Sequence, residues 1–190
     1  ICDDCGLTFG VVDTENHQWS DGIVTPSTSA VRGKIRFTCQ RDESHTKMEN
    51  APAYDANALR IEFSTVERIY AGRVATVDVS LKNNRGVAGM ALHFAYDDTY
   101  MTLIDIQEVG GMTGWILNKD AAMVSYANAA DFTEDGAILR LTFKVADNAP
   151  AGAIRVSVEY QEQGVSNAAR KEVDCMQSVG YVKVIDWLAG

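Results

Sequence analysis

The sequence predicts an all-β protein: a nine-stranded jelly-roll β-sandwich over residues 57–186, preceded by a small β-hairpin or zinc-ribbon-like unit over residues 1–56 and followed by a tail at 187–190. Three observations carry this expectation. Through most of the second part, large apolar side chains alternate with polar or small ones at a period of two, which is the period of a strand. Gly, Asn, Asp and Pro interrupt these runs at short, regular spacing. No stretch sustains a long amphipathic helical pattern, so the apolar faces must be buried by packing sheet on sheet.

The strands are justified in order. Residues 59–64 alternate Leu59, Ile61 and Phe63 against Arg60 and Glu62. Residues 73–82 carry Val74 and then, after a change of phase at Ala75-Thr76, Val77, Val79 and Leu81. The next strand, 86–97, organises the rest: Met90, Leu92, Phe94 and Tyr96 form one apolar face, while Gly89, Ala91, His93 and Ala95 leave the other nearly bare. A half-buried strand usually shows polar side chains outward, so this bareness points to close contact with something. The remaining candidates are 101–109, 112–117, 123–128, 137–146, 154–160 and 179–185. Turn chemistry supports the division: Glu134-Asp135-Gly136 gives a tight reversal with Gly where positive φ is needed. Asn148-Ala149-Pro150-Ala151-Gly152 ends one strand and starts another, because proline cannot donate to a ladder. Gly110-Gly111 and Gly114 lack a following helix start or a Lys-Ser/Thr pair and mark a turn, not a phosphate loop.

Composition narrows the function. The net charge of −9 and the lack of any basic run argue against a nucleic-acid surface. No apolar run approaches 18 residues, so no span of a bilayer is expected. The chain opens at Ile1-Cys2 and reads as an excerpt or a processed chain.

The first 55 or so residues are polar, with short strand-like pieces at 22–25 and 34–38, and a plausible hinge at 50–58 around Pro52. Three of the four cysteines fall here. Cys2-Asp3-Asp4-Cys5-Gly6 is a C-x-x-C-G knuckle whose thiolates can close on one tetrahedral metal, and Cys39 is followed by His45. Two ligand pairs separated by a hairpin suit zinc, and a metal staple would help a unit too small to bury much core. The expected ligands are Cys2, Cys5, Cys39 and His45, with His17 a competing ligand or a packing partner of Trp19. Disulfides remain open, with Cys2–Cys5 or Cys39–Cys175 as pairs, as do free thiols.

From Asn16 to Ala53 this unit resembles a repeat family of gut and rumen bacterial surface proteins. The matching residues are His17-Gln18-Trp19, Val24-Thr25, Gly33, Phe37-Thr38-Cys39, Asp42, Ser44-His45-Thr46-Lys47 and Ala51-Pro52-Ala53. Where many members carry a cysteine before the central glycine, this chain has Ser29-Ala30-Val31, which leaves Cys2 and Cys5 to complete a ligand set.

The second part resembles a cohesin domain, the receptor module by which bacterial scaffolding proteins hold dockerin-bearing enzymes. The resemblance rests on Ala71-Gly72, Gly86-Val87-Ala88-Gly89 leading into Phe94-Ala95-Tyr96-Asp97, Phe132-Thr133-Glu134-Asp135-Gly136 with the 139–145 strand, and Ala149-Pro150-Ala151-Gly152. It implies an extracellular or cell-surface scaffold module whose sheet face receives a dockerin. Carried over by position, the implied contacts are Gly89, Ala91, His93 and Ala95, with Met123, Ser125 and Asn128 on a later strand. Familiar cohesins often place Asn, Asp or Glu at some of these positions; this chain mostly does not. Calcium is expected mainly through the dockerin partner.

Signatures of catalysis are lacking. None of the three histidines lies in H-E-x-x-H, and there is no G-x-S-x-G elbow. The loop acids Asp97-Asp98, Asp120 and Glu134-Asp135 read as caps or solvated groups. Two alternatives stand beside the receptor: a subunit of a self-assembling surface fibre, and a carbohydrate-binding module, against which the scattered Trp19, Trp115 and Trp187 argue.

Overall fold

Alternation becomes architecture through fifteen strands. The computed structural model describes residues 17–186; Cys2, Cys5 and the 187–190 tail lie outside them. In chain order the strands are β1 (Ile23–Thr25), β2 (Lys34–Thr38), β3 (Thr46–Asn50), β4 (Leu59–Phe63), β5 (Val66–Tyr70), β6 (Val74–Lys82), β7 (Val87–Tyr96) and β8 (Met101–Glu108). They continue with β9 (Ile116–Asn118), β10 (Met123–Phe132), β11 (Gly136–Val145), β12 (Gly152–Gln161), β13 (Val165–Ser166), β14 (Cys175–Ser178) and β15 (Gly180–Ile185). No helix occurs among the described residues. Two sheets face each other, one ordered β14-β4-β6-β11-β8 and the other β3-β2-β1-β12-β7-β10-β9, with β15 on β12, β5 on β15 and β13 on β7.

The core lies between the sheets. Leu92 and Phe94 of β7 are buried there, as are Phe63 and Phe143 from the facing sheet, with the Phe63 and Phe94 rings edge to face at 6.2 Å. Every second residue of β6, β7 and β11 is buried, which is why the period of two in sequence located these strands. The inward face of β7 is as expected for Met90, Leu92 and Phe94; Tyr96 is only partly buried and packs its ring against Phe143 at 5.0 Å.

Where the strands differ from expectation, local reasons are visible. Residues 112–117 do not form a strand: only Ile116–Asn118 does, and Met112 and Trp115 are buried from a loop in which the Trp115 indole N–H donates to the Met112 carbonyl at 3.0 Å. An apolar run signals burial and not backbone conformation, and Gly114 with φ 93° turns the chain there. Four strands had no pattern to reveal them, among them the largely exposed β3. β5 exposes its central Glu67 and Arg68 and runs parallel to β15, β13 has two residues, and β14 lies parallel to β4.

The N-terminal strands continue the second sheet. β1 pairs antiparallel with the end of β12, Ile23 opposite Gln161 and Val24 opposite Tyr160, and β2 and β3 follow outward. Val24 and Ala51 join the common core. The stretch expected to hinge is tied down: the Ala51 amide donates to Gly33 O at 3.1 Å, and the Ser27 hydroxyl donates to Pro52 O. Gln177, 1% exposed, holds the two parts together, its side chain accepting from the Val158 amide at 3.1 Å and donating to Pro26 O at 3.0 Å.

Candidate docking face

The outward surface of β12-β7-β10-β9 is set by register. Ser157 lies opposite Ala95, Glu159 opposite His93, and on the other edge of β7 His93 faces Met123 and Ala91 faces Ser125. Met123 in turn faces Asn118, and Ser125 faces Ile116. The rows Glu159–His93–Met123–Asn118 and Ala91–Ser125–Ile116 therefore point away from the core. Ala91 and His93 are exposed, and Ile116 and Met123 are exposed apolar side chains at 73% and 45%.

The outer face of the other sheet is different in kind. There Asp78 pairs with Arg140 at 2.7 Å, Arg60 with Glu62 at 2.7 Å, and Gln107 donates to Asp105 at 2.8 Å. That side thus carries paired charges along with exposed Val74 and Ile104, whereas the rows across β7, β10 and β9 are mostly small or apolar.

The expected contact residues divide among three hollows. Ala91, His93 and Met123 line one of about 290 Å³, shared with Ile23, Arg36 and Glu159. Gly89 and Asn128 line another of about 390 Å³ with Ser166, Asn167 and Arg170. Ala95 borders a third of about 560 Å³ beside Tyr100, Arg155 and Ser157. Ser125 lies between β7 and β9 on the open row. A Cβ on Gly89 would meet Ser166 Oγ at 2.7 Å, so its smallness serves contact with β13 of its own chain. Ala127, not Asn128, stands opposite Gly89; the register shifts beyond Ala127, and Asn128 donates its amide to the Tyr126 hydroxyl at 3.1 Å. Residues the sequence did not single out are Ile116, Ala127 and Glu159 on this face, together with Ile23 and Arg36. The rows of Ile116 and Glu159 needed strand register, and register needed the pairing partners.

At the far end of β2, Cys39 is 1% exposed and its thiol is held down to about 7 chiefly by a hydrogen bond with His17, against the opposing effect of burial. The His17 ring lies 5.0 Å from that of His45 and 4.7 Å from Trp19. Among the described residues no three His, Cys, Asp or Glu side chains are arranged to hold a metal ion. Cys39 and Cys175 are both free, and burial pushes the Cys175 thiol up to about 12.

A family model for the cohesin domain matches residues 59–184. This chain belongs to the cohesin family. Solved cohesins share the fold at low identity. The third ScaB cohesin of R. flavefaciens, in complex with a group 1 dockerin, is 19% identical with a TM-score of 0.57, the match covering 70% of this chain and 99% of that one. A cohesin from a Clostridium thermocellum type I cohesin–dockerin complex is 16% identical with a TM-score of 0.54, covering 67% and 99%. A non-cellulosomal cohesin of the archaeon Archaeoglobus fulgidus is 14% identical with a TM-score of 0.56, covering 69% and 94%. No curated protein matches the chain. The cohesin match begins at β4, so β1 to β3 are an addition at the edge of its sheet.

Proposed function

We propose that this cohesin is a non-catalytic adaptor that binds a dockerin-bearing partner through the outward face of β12-β7-β10-β9, as part of a bacterial extracellular or cell-surface scaffold. The observation that carries the reading is the contrast between the two outer faces. On the β6/β11 side Asp78 and Arg140 pair with each other, whereas Ala91, His93, Ser125, Met123 and Ile116 form a low, mostly apolar surface. Such a surface can receive a helix by shape and apolar contact, with a rim of polar groups to set register. Its support from relatives is that several structural neighbours are cohesins in complex with dockerins.

Pull-down of calcium-loaded dockerin domains from the same organism, with and without chelator, tests the reading. Calcium-dependent capture is expected; failure with every dockerin rejects it. Mass in solution separates the fibre alternative, which requires self-association without dockerin.

For β1 to β3 the proposal is a zinc-stapled module in which Cys39 and His45 join Cys2 and Cys5. The lowered thiol of Cys39 and the convergence of His17 and His45 beside it support a cation there. Metal analysis should give about one zinc per chain; a stoichiometry near zero with a disulfide-linked peptide would reject it.

A further inference from the structure

The added strands widen the surface that a partner meets. Strands lie roughly 4.8 Å apart, so β12-β7-β10-β9 spans about 14 Å, little more than one helix diameter of 10–12 Å. With β1 and β2 hydrogen-bonded onto β12, the same sheet spans roughly 24 Å. Alternation fixes which side chains share the outward side: Val24 and Tyr160 are buried, so Ile23 and Gln161 face outward, and Arg36 lies opposite Ile23 on β2. Ile23 and Arg36 thus form one bank of the 290 Å³ hollow whose other bank is Ala91, His93 and Met123, with Glu159 between them. Thr25 Oγ1 donates to Glu159 at 2.8 Å and fixes β1 beside β12 across this hollow. Met48 of β3 lies opposite Arg36 and extends this outward row by one more strand.

Charge follows the same line. In a chain of net charge −9, the outward side of β1, β2 and β12 presents Lys34, Arg36 and Arg155. Lys34 is bonded to the neutral Asn50 side chain at 2.7 Å, and neither Arg36 nor Arg155 takes an ion pair among the described residues. The one carboxylate in the hollow, Glu159, accepts from the Thr25 hydroxyl at 2.8 Å and keeps its charge, so three cations on this side stand against one carboxylate. This local excess of cations in an acidic chain is complementary to carboxylates on a partner that are free of any bound ion.

We infer that the docking surface crosses from the cohesin sheet onto β1 and β2, where Ile23 and Arg36 receive, respectively, an apolar side chain and a carboxylate of the dockerin. This rests on the dockerin reading and makes the N-terminal unit part of the receptor instead of a spacer.

Titration calorimetry of the full chain with a calcium-loaded dockerin captured by the wild type tests it. Arg36→Glu and Ile23→Asp are expected to weaken binding about tenfold or more, while Ile104→Asp, at an exposed position on β8 of the other sheet, changes it less than about twofold. Replacing a dockerin carboxylate by Lys should restore affinity selectively for Arg36→Glu, which a folding defect could not do. Arg36 is exposed, so this variant tests the inference even where Ile23→Asp disturbs the fold. If the wild type and Ile104→Asp bind and Arg36→Glu binds equally well, the extension is overturned while the dockerin reading stands. If the wild type binds no dockerin, both fall.

Discussion

Phe94 and Ala91 sit three residues apart on one strand and do opposite work. Phe94 is 1% exposed with its ring against Phe63, so Phe94→Ala removes transfer energy and opens a cavity; a loss of about 3–5 kcal/mol is expected in urea unfolding. Ala91 points outward on an open row, and Ala91→Arg should shift stability by no more than about 0.5 kcal/mol while blocking dockerin capture. Marked unfolding by Ala91→Arg would show the face to be covered from within. Both orientations were legible in the alternating sequence, because parity along a strand fixes parity of faces. Gly89 was not: its absent side chain makes room for Ser166, from a segment 77 residues later, and no local pattern anticipates that contact.

Connections between elements depend on a few buried amides. Asn84, 7% exposed, donates its side-chain amide to Phe132 O at 2.9 Å and Glu134 O at 3.1 Å and accepts from the Gly86 amide at 3.2 Å. Its own amide donates to Asp135 at 2.9 Å, so the β6–β7 turn is bound to the β10–β11 turn, where Gly136 has φ 134°. Asn84→Ala leaves two carbonyls without this donor and should cost about 1–3 kcal/mol, read as a fall in the urea midpoint. The turn cluster was visible as Asn, Asp and Gly in sequence; its partner turn was not, because the bond spans about 50 residues. Gln177 acts likewise between β14, β12 and Pro26. Gln177→Leu should cost about 1–3 kcal/mol and speed amide exchange at Ile23–Thr25, the strand it helps to hold, more than in the centre of β11.

At the scale of the molecule, the N-terminal unit and the cohesin share a sheet and a core, so perturbing one is felt by the other. Chelation under the zinc proposal is therefore expected to lower the melting temperature of the whole chain in one transition; a separate early transition would mark β1 to β3 as an independent unit. The sequence by itself determined the all-β class, the inward residues of the long central strands and the bare outer face of β7, since these follow from a local period of two. Tertiary structure alone decided the union of β1 with β12, the parallel placing of β5 and β14, and the company Ala91 and His93 keep with Ile23 and Arg36. Those are pairings between distant segments, and hydrogen bonding between backbones leaves no periodic trace in the side chains of either one.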